Sequence, residues 1–82
     1  MADQQFEYRV CAMQNNRITF ANGAWQGALP PDGEDPNAAL ASCPAVWDYL
    51  EEAGQAGWEL VSTVNQTVAD VEMQTLFLKR RR

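Results

Sequence analysis

The stretch PAVWDYLEEAGQAGWELV, Pro44 to Val61, decides the fold. In its first half Val46, Tyr49, Leu50 and Ala53 fall at i, i+3, i+4 and i+7, whereas Asp48, Glu51 and Glu52 lie off that stripe. This is the pattern of an amphipathic helix with a solvated acidic face. Ser42 or Cys43 suits the N-cap, and Pro44 suits the first turn, where a missing N–H costs nothing. Gly54 can close the helix in the left-handed conformation, and Gly57 offers a second turning point. A helix of about ten residues is marginal in isolation, so the reading requires a sheet for it to pack on.

From Trp58 the period changes to two. Trp58, Leu60, Ser62 and Val64 share one face of a strand, and Glu59, Val61 and Thr63 the other. After the polar link Asn65-Gln66-Thr67, a second run from Val71 to Lys79 places Val71, Met73, Thr75 and Phe77 opposite Glu72, Gln74, Leu76 and Leu78. So short a link favours antiparallel pairing. Both faces of the second run are partly apolar, so the expected sheet is covered by the helix on one side and leaves its other side for another subunit.

Upstream, Phe6, Tyr8, Val10 and Ala12 alternate with Glu7, Arg9 and Cys11, and the apolar set reads as the inner face of a first strand. Gln14-Asn15-Asn16 signals a turn, since Asn tolerates positive φ, and Arg17 to Phe20 resumes the alternation, completing a hairpin from Phe6 to Ala21. Asn22-Gly23 marks a second turn. The Pro-, Gly- and Asp-rich segment 22–41 reads as a long exposed loop in which Ala38 to Ala41 can add a helical turn. Residues 1–5 read as a frayed end and residues 79–82 as a basic tail. The expectation is one α+β domain over residues 1–82, an antiparallel sheet of three to four strands with one amphipathic helix on one face.

The strand Phe6-Glu7-Tyr8-Arg9-Val10, the helix with Trp47-Asp48-Tyr49-Leu50, the segment Gly54-Gln55-Ala56-Gly57-Trp58-Glu59-Leu60-Val61 and the final Leu76-Phe77-Leu78-Lys79-Arg80 together carry a resemblance. They resemble a family of small bacterial and phage proteins of unknown function whose hallmark is a Gly-Trp-Glu-Leu-Val strand after a helix. The resemblance runs from about Phe6 to Arg80, with an insertion-like loop around Trp25 to Ser42. It implies a compact strand, helix, strand, strand domain and no reaction.

Eighty-two residues make a single domain that buries only about 60% of its unfolded surface, so oligomerisation is expected to supplement a small core. Three Trp, three Phe and two Tyr are a large aromatic load for this length, and some of those rings are expected at an interface. Neither a transmembrane run nor a secretory pattern is recognisable, which points to a cytoplasmic protein without a membrane role. Cys11 and Cys43 form no metal spacing and read as free buried thiols. Residues 1–78 carry two basic side chains against eleven acidic ones, a balance of −9, and the cations Lys79 to Arg82 bring the chain to −5. A body this acidic repels phosphate backbones, so nucleic acid is an unlikely partner outside the tail.

The chain has no histidine, no nucleophile with a recognisable base and no Gly-rich phosphate motif. No catalytic residue, no metal and no cofactor is therefore expected. Asp32, Glu34 and Asp35 lack the full calcium-loop spacing and read as solvated carboxylates. The candidate ligand-binding residues are Arg9, Arg17, Trp25, Glu59 and Arg80. Arginine forks suit phosphate, and Arg9, Arg17 and the tail could build an anion pocket at a subunit interface. Trp25 either folds back to cap the core or presents its ring, while Glu59 either binds a ligand or pairs across strands with a cation such as Arg9. The sequence thus points to a non-catalytic homo-oligomeric binding module for a phosphorylated small molecule such as a signalling nucleotide. The alternative is a protein-interaction or regulatory module that docks a partner through its aromatic loop.

Overall fold

The computed structural model describes residues 5–82. Of the segment 1–5 read as frayed, residues 1–4 lie outside the described residues. Seven elements follow in chain order: β1 (Phe6–Gln14), β2 (Arg17–Ala21), β3 (Ala24–Trp25), α1 (Pro36–Ala41), α2 (Val46–Gln55), β4 (Glu59–Val68) and β5 (Val71–Arg81). The strands form one antiparallel sheet in the order β3-β2-β1-β5-β4, so the described residues make an α+β fold with five strands and two helices. The expected three or four strands become five because Ala24 and Trp25 pair back onto Ala21 and Phe20.

Three two-residue turns build the sheet. Asn15 and Asn16 (φ 51° and 61°), Asn22 and Gly23 (50° and 81°), and Ala69 and Asp70 (51° and 64°) all adopt the left-handed conformation. Paired positive φ angles match the right-handed twist of the flanking strands, which is why Asn and Gly dominate such turns. The third turn lies two residues beyond the polar link Asn65-Gln66-Thr67. Those three residues continue β4, paired with Gln74, Met73 and Glu72, because β-branched and polar side chains alike fit the ladder and Ala69 is a weak turn signal.

Segment 22–41 is not one long loop. Beyond β3, Asp35 caps α1 by accepting hydrogen bonds at Oδ1 from the backbone N–H of Asn37 (3.0 Å) and Ala38 (3.2 Å), with Pro36 in the first turn. Ser42 ends α1 instead of starting α2, whose N-cap is Ala45 without a side-chain bond. The start of α2 is fixed by the sheet: Val46 N–H donates to the Asn16 carbonyl (2.8 Å) and Ile18 N–H to the Pro44 carbonyl (2.9 Å). At its other end the helix runs one residue past Gly54. Gly57, at φ 93°, turns the chain so that its own N–H reaches the Gly54 carbonyl and Trp58 N–H reaches the Ala53 carbonyl, both at 3.0 Å. These are the paired bonds of a Schellman cap, and they deliver Trp58 under the helix.

The core is Cys11, Ile18, Ala53, Trp58, Leu76 and Leu78, with Met13, Ala21, Val46, Tyr49 and Leu50 packed against it. Cys11 and Arg9 lie opposite Leu76 and Leu78, so the helix-facing side of β1 is Glu7, Arg9 and Cys11. The apolar set Phe6, Tyr8 and Val10, read as inward-facing, lies on the opposite, uncovered face. A bulge in β4 at Val61 also shifts the alternation: Leu60 and Thr63 pair with the core residues Leu78 and Leu76, and Ser62 and Val64 with Phe77 and Thr75 on the other face. The basic tail is strand, since Lys79, Arg80 and Arg81 pair with Tyr8, Glu7 and Phe6.

Two opposite changes test this backbone. Gly57→Ala puts a Cβ 3.3 Å from the Arg80 Cδ at positive φ, and thermal unfolding should show a loss of about 1–2 kcal/mol. Ala69→Gly relieves the same conformation in a turn and should raise the melting temperature by an amount equivalent to about 0.5–1 kcal/mol.

Candidate functional site

The helix-facing side of the sheet carries charge as well as core. Arg9 and Arg80 both place their guanidinium carbon over the Trp58 indole, at 4.4 and 4.6 Å from the ring centroid, with Trp58 itself only 8% exposed. Such contacts attract through the ring quadrupole, at about 0.5–2 kcal/mol each depending on desolvation. The two cations differ in everything else. Arg80 donates from Nε to Glu7 Oε1 (2.7 Å) and from Nη1 to the Ala56 carbonyl (3.1 Å), so its charge is answered and its fork is engaged. Arg9 donates from Nη1 to the Tyr49 hydroxyl (3.0 Å) and, among the described residues, has no carboxylate within ion-pair distance.

Arg9 opens into a cleft of about 540 Å³ between α2 and the β2–β3 turn, lined also by Asn22, Gln26, Tyr49 and Glu52. That volume lies within the range of small-molecule sites. The turn that forms one wall is held by Asn22, whose Oδ1 accepts from the Val10 N–H (2.8 Å) and whose own N–H donates to the Val10 carbonyl (2.8 Å). Helix α2, strand β1, the β2–β3 turn and Gln26 just past β3 thus present a guanidinium, two amides and a phenol to one space, with Gln26 Nε2 also donating to the Ala24 carbonyl (2.9 Å). Glu52, on the helix, sets an acidic limit on one side.

Of the five sequence-predicted residues, the structure brings together Arg9 and Arg80 through the same indole, and only Arg9 lines the cleft. Arg17 serves the fold: its Nη1 donates to the Cys43 carbonyl (2.6 Å), and it pairs with Ala45, tying the β1–β2 hairpin to the entry of α2. Trp25 folds back. Its ring meets Phe20 edge-on at 5.3 Å, and its Nε1 donates to the Leu29 carbonyl (2.7 Å). Glu59 pairs across strands with Lys79 at 3.7 Å, not with Arg9, and its side chain is 67% exposed on the uncovered face. Asn22, Gln26 and Tyr49 were not singled out by sequence. Asn22 read as a turn residue and Tyr49 as part of a helix stripe, and nothing local marks either as facing Arg9.

Two thiols and a phenol near the core titrate late. Burial pushes Cys11 up from its ordinary 9.0, against the lowering pull of the Tyr49 hydroxyl and the Arg9 charge. Burial also raises Cys43 from 9.0, opposed by Arg17, and raises Tyr49 from 10.0, with Cys11 adding to the rise and Arg9 opposing it. In each case the protonated form is favoured by the fold.

No family model, curated protein or solved structure matches the chain. No helix among the described residues is long and apolar enough to cross a membrane.

Raised values fix the sign of a pH effect. The folded state holds its thiol protons more tightly than the unfolded chain, so their stabilisation is intact below pH 9.0 and is lost as pH climbs through the folded values. Denaturation midpoints should stay level from pH 7 to 8 and fall above about pH 9, and Cys11→Ala should flatten part of that fall. The same burial predicts that both thiols react with a disulfide reagent at least about 100-fold more slowly in the folded than in the urea-unfolded protein at pH 8.

Proposed function

We propose that the chain is a non-catalytic, homo-oligomeric binding module whose Arg9 cleft takes a phosphorylated small molecule. The observation that carries this reading is a half-buried guanidinium that, among the described residues, has no carboxylate within ion-pair distance, held over an indole and opening into a cleft of ligand size. In a chain of formal charge −5, such a cation favours an anion of limited size over a polyanion. Guanidinium N–H groups left over after the Tyr49 bond suit a phosphate oxygen, and Asn22 and Gln26 supply amides for the remainder of the ligand. A nucleotide fits this class of ligand, as does a sugar phosphate. Two reduced, buried thiols accord with a cytoplasmic setting, and the resemblance of the Gly54–Val61 segment to a family of unknown function adds no reaction.

The alternative, docking of a protein through the aromatic loop, keeps one observation. Leu29 is 48% exposed beside the tethered Trp25. Trp25 itself is half-buried against Phe20, which makes it a brace of β3 more than a free contact.

Amide NMR titration with adenosine monophosphate and with inorganic phosphate tests the reading. Shifts should centre on Arg9, Asn22, Tyr49 and Glu52, and Arg9→Gln should weaken binding about tenfold or more while leaving the spectrum folded. Shifts confined to Lys79–Arg82, or binding indifferent to Arg9→Gln, would contradict it.

A further inference from the structure

The uncovered face of the sheet is the more apolar one. Phe6, Tyr8 and Val10 on β1, Phe77, Met73 and Val71 on β5, Val64 on β4 and Phe20 on β2 all lie there, and Tyr8 is 62% exposed. Pro31 and the α1 residues Pro36 to Leu40 stand beside Phe20, Trp25 and Met73 at one end of this surface, and among the described residues the stretch around Tyr8, Val10 and Val64 stays exposed.

Three features say what covers it. The first is charge. Lys79 and Arg81 stand at one end of the face, opposite Tyr8 and Phe6, and although Glu59 pairs with Lys79 there (3.7 Å), two cations against one carboxylate leave that end net basic. At the far end, Phe20, Trp25 and Met73 line a recess of about 280 Å³ with Pro31 and Pro36, the two residues that bracket Asp32, Glu34 and Asp35. The β4–β5 turn with Asp70 lies beyond Met73 at that same end. The face is therefore basic at one end and acidic at the other. A second copy turned end for end meets opposite charge at both ends, whereas a copy stacked in parallel meets like charge at both.

The second feature is shape. Tyr8, the most exposed ring on the face, lies six residues along β1 from Gln14 at the recess, about 20 Å at strand rise. A two-fold axis crossing the strands near Cys11 and Leu76, which pair with each other, superposes each Tyr8 on the partner's recess. The third is area. About eight residues each of β1, β4 and β5 and the five of β2, on strands about 4.8 Å apart, cover about 450 Å² in plan, and the relief of their side chains brings the accessible surface toward the ~800 Å² per partner that a stable interface buries.

We infer that two copies of the chain pack face to face and antiparallel through the uncovered sheet face, Tyr8 of each seated in the Phe20–Trp25–Met73 recess of the other and Lys79 and Arg81 facing the Asp32–Asp35 loop. The inference rests on the oligomeric part of the reading above and not on its ligand, because the Arg9 cleft lies on the opposite side of the sheet. A dimer of this kind leaves both clefts open to solvent.

A charge-exchange experiment tests it. Light scattering of the wild-type chain should give twice the 9.2 kDa chain mass. Lys79→Glu with Arg81→Glu makes both ends acidic, and Asp32→Lys with Glu34→Lys and Asp35→Lys makes both ends basic. Each variant alone should show its dissociation constant raised about tenfold or more, with an unchanged circular dichroism spectrum, and mixing the two should restore a dimer. Tyr8→Glu should dissociate the wild-type pair. A wild-type monomer at 100 µM overturns the inference. So does a dimer insensitive to both charge variants, as pairing along the free β4 edge would give, and so does a mixture that stays monomeric. A wild-type dimer whose phosphate binding is indifferent to Arg9→Gln marks a failure of the ligand reading alone, and a monomer that loses phosphate binding on Arg9→Gln marks a failure of this one alone.

Discussion

The contact between Trp58 and two arginines is the constraint on which the rest of the structure depends. Gly57 turns the chain at the end of α2 and sets the indole under the helix, where Arg9 from β1 and Arg80 from β5 lie over it. A strand whose alternate residues are Glu7, Arg9 and Cys11 would ordinarily show that side to water. Here the indole, the Tyr49 hydroxyl and the Glu7–Arg80 pair give those charges partners, so the polar side of β1 faces the helix. Period two then leaves no choice for Phe6, Tyr8 and Val10, which must occupy the opposite face.

The cleft cation and the open apolar face both follow from that reversal. On the helix side it places an arginine within a cleft, with its charge answered by an aromatic face and a phenol and, among the described residues, by no carboxylate. On the other side it leaves an apolar surface polarised from basic to acidic. The proposed binding site and the proposed assembly surface thus lie on opposite faces of one thin sheet.

Much of the fold was legible because local chemistry wrote it. Asn15-Asn16 and Asn22-Gly23 tolerate the positive φ their turns require, and the stripe Val46, Tyr49, Leu50, Ala53 marks α2 almost to the residue. The helical turn expected over Ala38 to Ala41 is the later part of α1, whose start at Asp35-Pro36 lies two residues earlier, hidden among Pro, Gly and acidic neighbours that also spell a loop. The polarity of β1 was not legible, since alternation separates two faces without saying which one the helix covers. That choice is made by Trp58 and Arg80, remote in sequence. The bulge at Val61 leaves no mark in composition, so the faces of β4 beyond Leu60 were read with the wrong parity. Of the candidate site, Arg9 was legible as a rare cation in an acidic body, while Asn22, Gln26 and Tyr49 join it only through the packing of α2 against the β2–β3 turn.

The most direct measurement is a set of nuclear Overhauser contacts to the Trp58 indole in the isotope-labelled protein. The account predicts contacts from the side-chain methylenes of Arg9 and Arg80, moved upfield by the ring current, and none from Tyr8 or Val10. Contacts from Tyr8 or Val10 to Trp58 or Tyr49 would show the apolar side of β1 turned to the helix, and with it both the cleft cation and the polarised open face would be lost.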